Sequence, residues 1–424
     1  MTEPLRLRSP WLLHPASRRL FEALGRTGHQ SRFVGGAVRD AVLARDGAAA
    51  KYDLDVATQA RPEETMALLQ DAGIRVVPTG LQHGTVTALV DGQHFEVTTL
   101  RRDVETDGRH AVVAFTDDFV IDAARRDFTF NALSCSLEGT VFDPFEGIAD
   151  LKAGRVRFIG QPDLRIQEDY LRILRFFRFQ ARFGREPADA AALAACARHR
   201  DRLKSLAAER IWSELSRMLI EERAASSIEL MEQCGIWRLI VPFAPDPASL
   251  RRLRNYTAAP GAILCLAALL SPAGRFRRPE VERLSASLKL SQRDRDHFRL
   301  LLTEEVPGDL GDLNSFRRWS YVRKLQPSEA ADFLTLVWAR RKGDPETLAR
   351  ILAAAGDAPP PVLPITGDDL ISRGLEPGPM LGSLKQQVEA AWIESDFTLD
   401  RAACLALLDR LMAGRLDKRP SKHR

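Results

Sequence analysis

Tyr52-Asp53-Leu54-Asp55-Val56 places two carboxylates at alternate positions. The apolar and acidic residues alternate, and Tyr52 and Val56 favour extended backbone, so the stretch is predicted to be a short strand. Side chains two apart on a strand share a face, so Asp53 and Asp55 stand about 7 Å apart on one side while Leu54 points to the core. Such an oxygen pair suits Mg²⁺, which takes one or two carboxylates and completes its shell with substrate phosphates. By itself a D-x-D pair is more often a solvated strand face or a turn.

Three further segments carry chemistry. Ser31-Arg32-Phe33-Val34-Gly35-Gly36-Ala37-Val38-Arg39-Asp40 reads as a strand, two glycines and a helix. There, the paired glycines let backbone amides approach an anion at the helix N-terminus, and Arg39 can reach back to the same phosphate. The plainer alternative is a tight strand-to-helix turn with no ligand. In Arg125-Arg126-Asp127-Phe128-Thr129-Phe130-Asn131-Ala132-Leu133 two arginines precede a core-forming run, and the planar fork of at least one suits a triphosphate. Within Glu168-Asp169-Tyr170-Leu171-Arg172-Ile173-Leu174-Arg175-Phe176-Phe177-Arg178-Phe179, read as helical, Asp169, Arg172, Arg175 and Arg178 recur every third residue. That slanting row either lines a pocket or forms an exposed ion-pair ladder opposite a Leu171, Leu174, Phe177 core face.

The elements that position these residues follow from periodicity. Trp11 to Leu24 is predicted as one amphipathic helix, and Pro62 starts another through Leu69. Thr85 to Val90 and Phe95 to Leu100 read as strands of a hairpin turning at Asp91-Gly92. Glu96 then either sets a third carboxylate beside the Asp53 strand or faces water from an edge. The charged stretch from Arg101 to Asp118 reads as a mobile loop. Phe142-Asp143-Pro144-Phe145 closes the first unit, with a boundary near Gly160. Beyond Glu186 the text is helical: 211–220, 228–240, 263–270, 298–302, 330–338 and 348–352 show apolar helical spacing. Pro359-Pro360-Pro361 marks a hinge before a last helical segment through Leu411. The basic end, with Lys418, Arg419, Lys422 and Arg424, reads as disordered and able to graze phosphates of a partner. His199 and His297 read as surface residues, and no internal repeat is present.

Composition excludes several classes. The chain has 424 residues, 45% hydrophobic and 28% charged, as expected for a globular protein of two to four domains. Its net charge is only +4, but arginines cluster as Arg101-Arg102, Arg125-Arg126 and Arg251-Arg252, which suits either a phosphate-bearing partner or a solvated basic surface. The five cysteines show no C-x-x-C spacing, which points to buried free thiols in the cytoplasm rather than zinc. No secretory signal pattern occurs at the start, and the most apolar run, Ala262 to Leu270, is too short to cross a bilayer. Nothing points to a membrane or to an obligate protein partner.

GGAVRD, DLD, RRDFTFNA and EDYLRILRFFRF, in that order and spacing, resemble the class II tRNA nucleotidyltransferase and bacterial poly(A) polymerase family. The resemblance is dense from Arg32 to Phe183 and thinner beyond, where Ile365-Thr366-Gly367-Asp368-Asp369-Leu370-Ile371 and Pro377-Gly378-Pro379 resemble a tail element of the CCA-adding branch. It implies an α+β fold: a nucleotidyltransferase head with a small mixed sheet over 1–160, then an all-helical neck over 161–225, body over 226–355 and tRNA-binding tail over 356–424. By the same resemblance Asp53 and Asp55 hold two Mg²⁺ ions, with Glu96 a less certain third carboxylate. Gly36, Arg39 and Arg126 meet the nucleotide's phosphates and sugar, and Asp169 and Arg172 read its base edge with support from Arg175 and Arg178. Phe130 departs from the family, which more often has an aliphatic residue there, and this bears on local packing.

The implied reaction adds CCA to the 3′ end of tRNA from CTP and ATP, releasing pyrophosphate. A poly(A) polymerase, or an enzyme adding only CC or only A, shares all four motifs. An RNA-binding protein with a vestigial head is a further alternative, but it would have little use for clustered acids.

Overall fold

The computed structural model describes residues 5–43, 54–106, 111–270, 276–305, 312–357 and 361–416. The chain divides into two compact units. The first holds residues 1–250, 261–273 and 279–295, and the second 251–260, 274–278 and 296–424.

The first unit begins with helices α1 (Pro10–Leu13) and α2 (Pro15–Leu24). The single helix expected from Trp11 to Leu24 is therefore two. Pro15 lacks the N–H that would continue the first and instead starts the second, capped by the His14 side chain. Strand β1 (Ser31–Val34), α3 (Gly36–Val42), β2 (Leu54–Thr58) and α4 (Pro62–Asp71) follow. Next come β3 (Arg75–Gly80), β4 (Thr85–Val90) and β5 (Gln93–Thr99). Asp91 and Gly92 both have positive φ, at 49° and 81°, as the anticipated hairpin turn requires.

Within the charged stretch expected to be a mobile loop, the described residues through Phe115 form strands instead. They build a two-stranded antiparallel ribbon of β6 (Arg101–Thr106) and β7 (Ala111–Phe115), because cross-strand backbone bonds satisfy a segment whose charges alone suggest solvation. Helix α5 (Phe119–Ala124) comes next, with Asp118 accepting from the Val120 N–H as its cap. Short strands β8 (Ser134–Cys135) and β9 (Val141–Phe142) complete a seven-stranded sheet of order β3-β4-β5-β2-β1-β8-β9. Its β2–β5 pair is parallel and the rest antiparallel, so the sheet is mixed. Phe33, Val56, Phe95 and Val97 are buried in its core.

After α6 (Gly147–Ala153) the unit is helical: α7 (Pro162–Glu168), α8 (Leu171–Phe183), α9 (Ala190–His199), α10 (Ala208–Leu219), α11 (Ala224–Gln233), α12 (Trp237–Ile240), α13 (Pro247–Leu253), α14 (Ala262–Leu270) and α15 (Arg278–Ser287). The division cuts off the last residues of α13 and the first of α15. The apolar run expected over 228–240 is broken after Gln233, where Gly235 takes φ 67°. Phe130, the departure from the family pattern, is fully buried against Phe128, Phe179 and Phe183, so a ring there is accommodated by an aromatic cluster.

The second unit is helical among the described residues. It takes in most of α16 (Gln292–Thr303), then α17 (Leu313–Val322), α18 (Pro327–Arg341) and α19 (Pro345–Asp357). It ends with α20 (Gly367–Ile371), α21 (Pro379–Glu394) and α22 (Arg401–Leu416) around a core of Leu370, Leu384, Val388, Trp392, Cys404 and Leu408. The Thr366 and Asp369 side chains form a capping box that starts α20. The basic end from Lys418 lies outside the described residues, as do Pro359 and Pro360.

Neither histidine is a plain surface residue. His199 pairs with Asp163 at 2.9 Å and His297 with Asp332 at 3.4 Å, because each helix turns its ring toward a neighbouring carboxylate. All five cysteines are free thiols, four of them buried. No helix of the described residues is long and apolar enough to cross a membrane.

Candidate active site

The sheet register assembles the carboxylates. Val34 of β1 pairs with Asp55 of β2, and Asp55 pairs in parallel with Glu96 of β5. In-register neighbours on adjacent strands project to one face, so Asp55 and Glu96 stand side by side about 5 Å apart at the backbone. β5 lies between β4 and β2, so Glu96 is not on an edge. With Thr85, Thr98, Arg101, Asp122, Arg125 and Arg126 they line a pocket of about 200 Å³. Among the described residues no group of three or more metal-ligating side chains occurs; Asp53, the expected partner of Asp55, lies outside them.

Gly35, the first of the paired glycines, lies against the Asp55 carboxylate. It takes φ +78°, and a Cβ there would come 2.7 Å from Asp55 Oδ2. Only a residue without a side chain turns β1 into α3 so close to that carboxylate. Gly36 opens α3, where a Cβ would meet Arg39 Nη2 at an ordinary 3.5 Å.

Arg126 follows α5 and enters the pocket with its guanidinium 3.7 Å from Asp122 and donating to the Asn131 carbonyl at 3.2 Å. Burial lowers its pKa, and Asp122 and Asp55 pull it back up. An anionic ligand would relieve that burial cost. Arg39, expected at the nucleotide's phosphates, has its guanidinium beside the Gly36 turn and is held there by protein partners. It is buried, donates to Asp40 at 2.9 Å and to Asn131 Oδ1 at 2.8 Å, and packs over Phe183. It braces Asn131, which in turn donates to Asp127 at 2.8 Å.

The row expected on one helix is broken at its first member. Asp169 is extended (φ −155°, ψ 109°) between α7 and α8, and its carboxylate accepts from the Leu171 N–H at 3.0 Å. A capping carboxylate satisfies amides that the helix leaves open, so the chain gains by stopping α7 there. Its other oxygen accepts from Arg210 of α10 at 2.8 Å. Arg172 pairs with Glu168 and donates to the carbonyls of Arg165 and Arg125 at 3.0 and 3.2 Å. Arg175 donates to Asp127 at 2.6 Å, and Arg178 pairs with Glu214 at 2.9 Å. The row is therefore no exposed ladder: Arg172 and Arg178 are 14% and 13% exposed, and the acids that hold the row's three arginines include residues far away in sequence.

Arg210, Glu214, Asp127 and Asn131 were missed as site residues. Asp127 and Asn131 lay inside the RRDFTFNA segment, and Glu214 carried a signal as an acid at a position of α10 that faces the core with Leu215 and Met218. Glu214→Ala leaves Arg178 without its acid in a buried setting and is expected to cost about 3 kcal/mol of stability. Urea unfolding of the two proteins measures this, and a loss below about 1 kcal/mol would show that the pair is not holding α8 to α10.

Residues 31–157 match the family described as Poly A polymerase head domain, and 189–246 match that described as Probable RNA and SrmB- binding site of polymerase A. The CCA tRNA nucleotidyltransferase 1, mitochondrial, of Danio rerio is 34% identical over 397 residues, spanning 92% of this chain and 90% of that one. That of Homo sapiens is 32% identical over 401 residues, at 92% and 89%. The structure of Bacillus stearothermophilus CCA-adding enzyme in complex with CTP superposes with a TM-score of 0.71 over 96% of this chain and all of that one; at 24% identity this is a likeness of fold. With relatives matched at this identity along nearly their whole length, the chain belongs to the CCA tRNA nucleotidyltransferase family.

Proposed function

We propose that this protein adds C, C and A in turn to the 3′ end of tRNA from CTP and ATP, without a nucleic-acid template. The observation that carries the reading is a bonded link between the two halves of the site. Arg172, at the start of α8, donates to the carbonyl of Arg125, next to Arg126 in the carboxylate pocket. Base reading and phosphate holding thus share one framework, to which Asp169 and Arg210 belong.

The donor set fits Mg²⁺: Asp55 and Glu96 are adjacent oxygens on one face, Gly35 leaves open the space a side chain would fill, and Asp53 precedes by two residues. When bound there, Mg²⁺ supplies neutralisation of charge on the attacking and leaving oxygens of an in-line displacement. In this reading a primer 3′-OH attacks the α-phosphate and pyrophosphate leaves, while Arg126 offsets charge on the phosphates. Asp169 accepts from the exocyclic amino group that C and A share, and Arg172 donates to the adjoining ring acceptor. U and G lack that amino group at the corresponding edge. The head, neck, body and tail divisions at 160, 225 and 355 belong to the same reading. The free thiols support a reducing compartment, the cytoplasm or, as the names of the animal relatives indicate for those proteins, the mitochondrion.

The test uses the full chain, Mg²⁺ and tRNAs ending before CCA, after the first C and after both, each with single nucleoside triphosphates. Ordered addition of three residues is the expected product. Long A tails would instead favour a poly(A) polymerase, and no product at all would favour a binding module.

A further inference from the structure

Arg32 lies on β1, two residues before Val34, the strand partner of Asp55. Its guanidinium is held between two rings, 3.9 Å from the Phe119 centroid and 3.6 Å from that of Phe142. Among the described residues its hydrogen bond is a long one, 3.5 Å to Gln30 Oε1. The rings belong to separate elements: Phe119 opens α5 and Phe142 ends β9.

Helix α5 runs across the sheet face that carries Asp55. Phe119 packs on Val34, Ala57 and Leu100. On one side of the helix lies the carboxylate pocket, with Asp122, Arg125 and Arg126. On the other lies a cleft of about 930 Å³ lined by Arg32, Phe119 and Phe142 together with Asp117, Asp118 and Asp143. A second tie holds the lead-in to the helix, where Gln59 donates to the Asp117 carbonyl at 2.8 Å. At the far end Asp122 accepts from Arg125 Nε at 2.8 Å and from the Arg101 N–H at 3.2 Å.

We propose that Arg32 is a positioning residue for nucleotide binding: its clamp between Phe119 and Phe142 fixes the start of α5, and so sets where Arg126 at the far end stands over Asp55. The inference rests on the reading of Arg126 as a phosphate ligand. Six helical residues are about 9 Å long and stiff, so a shift at one end is carried to the other. Among the described residues none of the cleft's acids forms a salt bridge with Arg32, so the two aromatic faces are what hold the cation.

The experiment compares wild type with Arg32→Met, Arg32→Lys, Phe142→Leu and, as a control for general destabilisation, Leu69→Ala in α4 on the buried side of the head. CTP and ATP titrations at saturating tRNA give KM and kcat, and equilibrium CTP binding is measured alongside. Losing the clamp raises KM for both nucleotides about tenfold, with kcat within about threefold and KM for tRNA unchanged. Arg32→Lys, which keeps charge but not a flat face, falls between wild type and Arg32→Met. Phe142→Leu follows Arg32→Met, whereas Leu69→Ala lowers Tm without moving KM. The inference is overturned if Arg32→Met binds CTP like wild type, if only KM for tRNA moves, or if Leu69→Ala gives the same rise. A wild-type protein that binds CTP but adds nothing to tRNA would sink the CCA reading, while the binding arm would still decide the role of Arg32.

Discussion

Asp55→Ala abolishes nucleotide addition, with kcat at least about a thousandfold below wild type, and does so without lowering Tm. The two halves of this result have separate causes. Phosphoryl transfer leaves the protein little to do beyond positioning and charge, so removing one of the few oxygens on the β2–β5 face removes most of what it contributes. Folding depends little on that oxygen, because Asp55 is only half-buried and its attraction for Arg126 is offset by repulsion from Glu96 on the same face. Single-turnover extension of a tRNA lacking CCA, beside thermal unfolding of the same sample, reads both. Retained extension would remove the carboxylate pocket as the site of chemistry. Lost extension with a matching drop in Tm would show only that Asp55 holds the strand.

Exchanging the pair, Asp169→Arg with Arg172→Asp, moves preference from CTP and ATP toward UTP and GTP by about a hundredfold, the scale of one well-formed bidentate base contact. Total activity falls as well, for reasons that lie outside the pair. Arg210 donates to Asp169, and Glu168 pairs with Arg172, so the exchange sets like charges against each other at both positions. Asp169→Arg also removes the carboxylate that accepts from the Leu171 N–H and starts α8. Adding Arg210→Gln and Glu168→Gln relieves the repulsion and recovers part of the lost rate while keeping the shifted preference. Competition between the four nucleotides on a tRNA ending before CCA measures the switch. Unchanged use of C and A would take the base-reading role away from these two residues.

The legibility of the head varied with the range of the interactions involved. The hairpin through Asp91-Gly92 and the helix from Pro62 were readable because turn chemistry and a first-turn proline act within a few residues. The ribbon of β6 and β7 was not, since charge along Arg101 to Asp118 says nothing about whether two segments will pair. Periodicity likewise could not break the helix at Asp169: the three-residue spacing continues through it, but Asp169 is more useful as a cap and as a partner for Arg210, which lies 41 positions on.

By itself the sequence determined which residue types this protein has for its chemistry, the acids at 53 and 55, the glycines after β1 and the arginines at 125–126, as well as the family to which their order points. Tertiary structure alone decided that Glu96 stands beside Asp55, that Gly35 rather than Gly36 lies against the carboxylate, that Arg39 bonds to Asn131, that Arg210 holds the start of α8 at Asp169, and that Glu214 pairs with Arg178 further along that helix. The reason is physical. Spacing along a chain fixes faces and turns locally, whereas strand register and buried ion pairs are chosen among distant partners by which arrangement leaves the fewest charges and backbone groups unsatisfied.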